Sequence, residues 1–189
     1  MSSEYYHTKE SVEEYIKLSE GYDGAYLIKE LMPLLPIGST VLELGSGSGK
    51  DIELLSQYYK VTGSDYSEEF LKVLKNRLPN VDFLHLNAAT LVTDLCFNCI
   101  YSNKVLHHLK DEELTSSISR QHELLNRDGI VCHSFWKGEG SELFKGMFVN
   151  YHTKKELGSL FATKFNILHL EEYAEVEEGD SIFLIAQKK

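Results

Sequence analysis

The chain has 189 residues, a length that predicts one domain with a core of its own. A formal charge of −10, offset by no cluster of Lys or Arg, counts against DNA or RNA as a partner, since nucleic-acid binding needs cations that displace counterions. An odd count of three cysteines makes no disulfide framework, and no apolar run approaches the ~20 residues that span a bilayer, so a cytoplasmic protein with no membrane partner is expected.

Residues 1–14 are polar and charged, unlike a secretory signal. Residues 11–35 carry apolar side chains at helical spacing, interrupted by Gly21 and Gly24 and closed by Pro33 and Pro36. Two helices with a bend are expected there. A helical cap over 1–36 would then precede an α/β core over 37–189. The first strand, Thr40 to Leu44, runs into Gly45-Ser46-Gly47-Ser48-Gly49. Glycines at alternate positions allow a sharp turn and let a ligand lie on bare backbone. Glu43 precedes that turn, and a buried carboxylate is costly unless it meets a partner. The segment therefore asks for a ligand that is partly cationic or rich in hydroxyl or amine donors. A dinucleotide fingerprint would need glycine at Lys50 or Ile52, and a phosphate-binding Walker loop would need it at Leu44 and a hydroxyl at Asp51.

Strands and helices then alternate. A helix over 51–58 would point its first amides at a ligand. A strand over 60–64 ends at Asp65, and Ser67 caps a helix over 68–78 with one apolar face. Strands follow over 81–86 and 97–102. Asp111 caps a helix running to about residue 126, and Arg127-Asp128-Gly129 turns into a strand over 130–135. An insertion over about 136–152 holds Trp136, Phe144, Met147, Phe148 and Tyr151, enough to wall a small apolar pocket. Thr153 caps a helix over 154–161. Two last strands, over 165–170 and 181–186, are joined by an acidic loop with no helix between them. The pattern predicts an α/β protein: a doubly wound, mostly parallel seven-stranded sheet with an antiparallel last strand and helices on both faces.

Ligands of such sheets sit beyond the carboxyl ends of the strands. Glu43, Asp65, Asn87 and Ser102-Asn103 all fall there. Asp65 stands where an acid grips ribose hydroxyls, with a turn or capping role before Ser67 as the alternative. Tyr66 is placed to lie on a flat base. Asn87-Ala88 reads as an adenine-edge contact or a plain turn.

The order of these motifs resembles that of class I S-adenosylmethionine-dependent methyltransferases. The likeness rests on Val41 to Gly49, on Asp65, on Asn87-Ala88, on the stretch Phe97-Asn98-Cys99-Ile100-Tyr101-Ser102-Asn103-Lys104-Val105-Leu106-His107-His108-Leu109, and on Leu124 to Val131. It implies a Rossmann-like fold with S-adenosyl-L-methionine as cofactor and S-adenosyl-L-homocysteine as product. Glu43, Gly45, Ser46, Gly47 and Gly49 would hold the methionine end. Asp65 would hold the ribose, Tyr66, Asn87 and Ala88 the adenine, and Asn103 would lie near the sulfonium and the acceptor. Asn87 and Asn98 replace acids that are usual in the family. His107 and His108 are candidate bases if the acceptor must lose a proton, and His133 reads more simply as a satisfied strand residue. Tyr22, Tyr26, Trp136 and Tyr151 are candidate acceptor contacts. The expected acceptor is a small molecule, and the acidic loop would favour an amine by steering. Rival readings are a catalytically inactive cofactor-binding protein, an NAD-dependent oxidoreductase, and a methyltransferase of protein or nucleic acid. Cys96-Phe97-Asn98-Cys99 lacks the second ligand pair a zinc site needs, so no metal is expected. Lys104 reads as a loop residue supplying charge. The sequence says nothing of oligomeric state.

Overall fold

The computed structural model describes residue 6 and residues 8–189. Helix α1 (Lys9–Leu18) is capped by the Thr8 side chain, which accepts from the Ser11 amide. Helix α2 (Ala25–Leu31) follows the predicted bend. Then come β1 (Thr40–Leu44), α3 (Lys50–Leu55), β2 (Lys60–Asp65), α4 (Glu68–Arg77), β3 (Asp82–His85) and β4 (Phe97–Asn103). A single 3-10 turn, Leu106–His108, leads to α5 (Asp111–Leu124) and β5 (Leu125–Trp136). The chain continues through β6 (Ser141–Phe144), β7 (Met147–Asn150), α6 (Lys154–Phe161), β8 (Phe165–Tyr173) and β9 (Ser181–Lys188).

Seven strands pair in the order β3-β2-β1-β4-β5-β9-β8. Strands β3, β2, β1, β4 and β5 are parallel, and β9 runs antiparallel between β5 and β8. The chain winds outward from β1 through β2 and β3, then crosses back to β4. The switch point is therefore the gap between β1 and β4, beside Glu43.

Period-two alternation sorts the side chains into two layers. Leu42, Leu44, Ile100, Val131 and Phe135 face α5 and α6, packing with Leu114, Ile118 and Phe161. Val41, Cys99, Tyr101 and Cys132 face α2 and α3, packing with Leu27, Leu31 and Leu55. Helix α2 is thus built into the core, while α1 sends Tyr15 over the glycine turn.

Several predicted boundaries move. Helix α3 stops at Leu55, so it is only six residues long and its amides make no extended anion cradle. Lys110, not Asp111, is the N-cap of α5, and the Glu113 carboxylate accepts its amide at 3.0 Å. The predicted turn at Arg127-Asp128-Gly129 lies inside β5 as an irregularity, with Asp128 at φ +61° and the β4 register shifting beside it. Strands β6 and β7 form a separate hairpin within the insertion, where no strand is predicted.

Candidate active site

Two cavities open at the carboxyl ends of the strands, of about 150 and 400 Å³. Tyr6, Tyr15, Gly45, Gly47, Lys104 and His108 line both, so they are lobes of one cleft.

The larger lobe holds a pair of carboxylates. Glu43 extends the Val41 face of β1 and is 3 % exposed. Asp51, in the first turn of α3, comes up beneath the same face and is 8 % exposed. Asp51 accepts hydrogen bonds from the Gly24 amide (2.6 Å), the Tyr101 hydroxyl (2.7 Å) and the Asn103 amide (3.2 Å). Glu43 meets the Ser46 side chain, but its Oε2 has no partner among the described residues. Burial, then the charge of Asp51, pushes the Glu43 carboxyl well above the usual range, and burial raises Asp51 as well. Such a pair calls for a cation.

Gly24 must approach Asp51 closely: a Cβ there would fall 2.0 Å from the Tyr101 hydroxyl. Gly45 sits at φ +64° with Val105 beneath it, 2.6 Å from where a Cβ would be. Ser46 ties the turn to β2, donating its amide to the Ser64 carbonyl at 2.8 Å and accepting from the Ser64 amide. Gly49 lines neither lobe. It lies under the turn against Leu74 and Arg77, so its role is packing rather than the ligand contact expected.

The smaller lobe is flanked by Tyr66, Phe70, Leu86 and Ala88. At its edge Asp65 accepts the Gly47 amide (2.9 Å) through one oxygen and the Ser67 amide (2.8 Å) through the other. Burial raises its carboxyl while these amides pull it back. Asp65 therefore makes the turn and also faces the cleft. Tyr66 is stacked on His85 at 5.3 Å. Asn87 lines the lobe but spends its side-chain oxygen on the Ala89 amide at 2.8 Å, the geometry of a turn asparagine.

Beyond Asn103 the wall turns apolar and basic. Asn103 accepts from the Ser134 hydroxyl, whose oxygen in turn accepts the Lys104 amide. His108 Nδ1 lies 2.7 Å from the Phe148 carbonyl of β7. A carbonyl only accepts, so Nδ1 carries the proton and Nε2 keeps its lone pair. Burial lowers the pKa of His108 and, much further, that of His107, whose Nδ1 is buried without a partner among the described residues. His133 lies under the sheet, away from the cleft, between Ser102 and Gln121 at 2.8 Å each, and burial carries it down to about 3.

Tyr22 and Trp136 line the larger lobe. Tyr26 and Tyr151 do not line either lobe. Tyr26 stacks on Tyr173 at 5.4 Å because α2 is turned into the core, and Tyr151 donates to Glu142 at 2.6 Å. Sequence reasoning missed Asp51, Tyr15 and Phe70 as cleft-lining groups, whereas Phe144 and Met147 of the insertion line the larger lobe as expected. Only Asp51 left a signal, an acid just after the glycine turn. Lys104 lies in the loop after β4, as expected, and its ammonium sits 3.8 Å over the Trp136 ring. Cys99 and Cys132 are buried in the sheet and Cys96 is exposed. Among the described residues no cluster of His, Cys, Asp and Glu is placed to hold a metal, and no helix is long and apolar enough to cross a membrane.

This doubly wound sheet has the fold of 1,6-didemethyltoxoflavin-N1-methyltransferase from Burkholderia thailandensis, solved with bound 1,6-didemethyltoxoflavin and S-adenosylhomocysteine. The TM-score is 0.79 at 20% identity, over 95% of this chain and 84% of that one. Residues 41–129, just under half of the chain, match the methyltransferase domain family. An uncharacterized methyltransferase of Oceanobacillus iheyensis is 33% identical over 97 residues, which are 48% of this chain and 44% of that protein. A mouse tRNA (carboxymethyluridine(34)-5-O)-methyltransferase is 26% identical over 144 residues, 72% of this chain and 21% of that one. The chain thus spans less than half the length of either of these curated relatives.

Proposed function

We propose that this protein transfers a methyl group from S-adenosylmethionine to a small-molecule acceptor that carries an ionisable N–H or O–H. The observation that carries the reading is the buried Oε2 of Glu43, without a partner among the described residues and beside Asp51, at one end of a cleft whose other end is apolar and edged by Asp65. The ligand it asks for has a cationic end, a hydroxylated middle and a flat body. Glu43 and Asp51 would hold the methionine ammonium, Gly45 to Gly47 the chain, Asp65 the ribose, and Tyr66, Phe70 and Ala88 the adenine. When bound, the cofactor supplies a methyl group that is already electrophilic.

The protein's task is then alignment, an effect of proximity. Asn103, held on both sides by Asp51 and Ser134, bridges the cofactor end and the acceptor end of the cleft. His108 Nε2 is the nitrogen free to take the acceptor's proton, and burial keeps it unprotonated at neutral pH. His107, with its Nδ1 buried, shapes the wall. Trp136, Phe144 and Met147 supply apolar surface for a small acceptor. The charge of −10 favours a small molecule over nucleic acid, and three free thiols suit a reducing compartment.

Calorimetric titration with S-adenosylmethionine, S-adenosylhomocysteine and NAD tests the reading. Micromolar binding of both adenosyl ligands, lost in Asp65→Ala, is the expected result. Binding of NAD alone overturns it.

A further inference from the structure

We propose that Lys104 and Trp136 form an acceptor subsite selective for anions, which takes a small planar molecule bearing a carboxylate or a phenolate-type oxygen. The inference rests on the methyltransferase reading above and adds the charge class of the acceptor.

Lys104 leaves β4 at φ +55°, a left-handed conformation rare outside glycine, with its amide fixed on Ser134. That bend carries the side chain along the sheet, past β5 to β9. The ammonium donates to the Phe135 carbonyl at 3.0 Å and to the Ser181 hydroxyl at 2.5 Å. It lies 3.8 Å from the centre of the Trp136 ring and 5.2 Å from that of Tyr173. Two of its three N–H donors are thereby used. Among the described residues no carboxylate is in ion-pair contact with it.

The nearby acids make no direct contact with the ammonium, although Ser181, which accepts from it, donates to Asp180. Glu175 lines the same lobe but accepts the Tyr173 hydroxyl at 2.7 Å. Asp180 accepts the amides of Glu175, Val176 and Glu177 and the Ser181 hydroxyl. His107 and His108, the other titratable groups on this wall, are held neutral by burial. Burial also pulls Lys104 down to about 8, against the pull of Glu175 and Asp180, which leaves it charged at neutral pH.

This cation does not serve the ligand group that Glu43 serves. Strand β9 stands three places from β1 in the sheet, roughly 14 Å at the usual strand spacing. The cleft thus has a buried carboxylate pair at β1 and, toward β9, an ammonium with no direct carboxylate contact among the described residues. The ammonium covers one face of Trp136, and Phe144 and Met147 add apolar surface to the same lobe. A planar anion would take the third N–H of Lys104 and lie against this apolar surface.

Trp136 is the only tryptophan in the chain, so its emission reports the subsite directly. Protein saturated with S-adenosylhomocysteine is titrated with 4-hydroxybenzoate, with its neutral amide 4-hydroxybenzamide, and with the amine tyramine. The carboxylate is expected to change Trp136 emission saturably and to bind at least ~10-fold more tightly than the amide, as a charge-assisted contact does. The preference is lost in Lys104→Met, is kept in Lys104→Arg, and fades above pH 8. Absent binding of the carboxylate, equal binding of the amide, or an unchanged Lys104→Met overturns the subsite. A preference for tyramine overturns it too, in favour of an amine drawn by the acidic loop. Calorimetry with S-adenosylhomocysteine on the same samples separates the two levels. If that ligand fails to bind, the methyltransferase reading falls; if it binds and the probes are not discriminated, only the subsite does.

Discussion

A single carboxylate on β1 decides most of what the cleft accepts. Glu43 is buried with one oxygen unpaired among the described residues, a cost that a ligand recovers. Glu43→Gln keeps the shape and removes the charge. It is expected to raise the melting temperature of the ligand-free protein by ~2–4 °C, about 1 kcal/mol for a chain of this size. It should also weaken S-adenosylhomocysteine ~10–100-fold, the worth of a charge-assisted hydrogen bond. Calorimetry and a thermal melt on one sample check both, and the opposite signs distinguish a binding role from a structural one. Gly24→Ala tests the other side of the pair. Its Cβ would meet the Tyr101 hydroxyl at 2.0 Å and Asp51 Oδ2 at 2.4 Å, so overpacking of ~1–3 kcal/mol should appear in urea unfolding. Glu43 was legible in the sequence because it ends a short apolar strand. Asp51 was not, because its burial comes from Gly24, Tyr101 and Asn103, which lie 27, 50 and 52 residues away.

Alternation along each strand also separates two polar chains at the level of elements. On the α2–α3 face, Asp51, Asn103 and Ser134 lead into the cleft. On the α5–α6 face, Ser102 donates to His133, His133 to Gln121, Gln121 to Ser117, and Ser117 to the Ala88 carbonyl at the wall of the smaller lobe. Each proton in that second chain is fixed by its neighbour. Gln121→Leu strands the His133 N–H in a fully buried layer, at ~1–3 kcal/mol. His133→Phe alone costs a similar amount, and the double variant should cost less than the sum, since both partners then become apolar. A double-mutant cycle by urea unfolding measures the coupling. The strands and helices of the sheet were legible because each has a buried face with a clear period. The hairpin was not. Residues of β6 are exposed throughout and pair only with β7, so burial leaves no pattern to read. The partners of Lys104 were hidden for a related reason: they lie on β5 and β9, and its departure from β4 depends on a backbone conformation that lysine rarely adopts.

Across the whole molecule, ligand binding and protonation should be linked with a sign that the buried groups set. Glu43 and Asp51 are raised, so the folded protein keeps protons that the unfolded chain has lost. Their contribution to stability is full below the ordinary carboxylate range and is lost as pH rises through their raised values. His107, His108, His133 and His152 are lowered, so theirs is present above the ordinary histidine value and is lost as pH falls below it. The ligand-free protein is thus opposed from both sides. A ligand with a fixed ammonium lets the carboxylate pair ionise and releases protons, so affinity rises with pH across the window in which Glu43 and Asp51 titrate. At a ligand concentration of 100 Kd the stabilisation is ~2.7 kcal/mol, or ~5–11 °C in a chain of this length. The histidine contributions largely cancel when ligand-free and saturated melts are subtracted at each pH. The increment from S-adenosylhomocysteine at a fixed concentration should therefore grow from pH 5 to pH 8 in the parent and be flatter in Glu43→Gln. An equal slope in both would place the linked proton somewhere other than the β1 carboxylate.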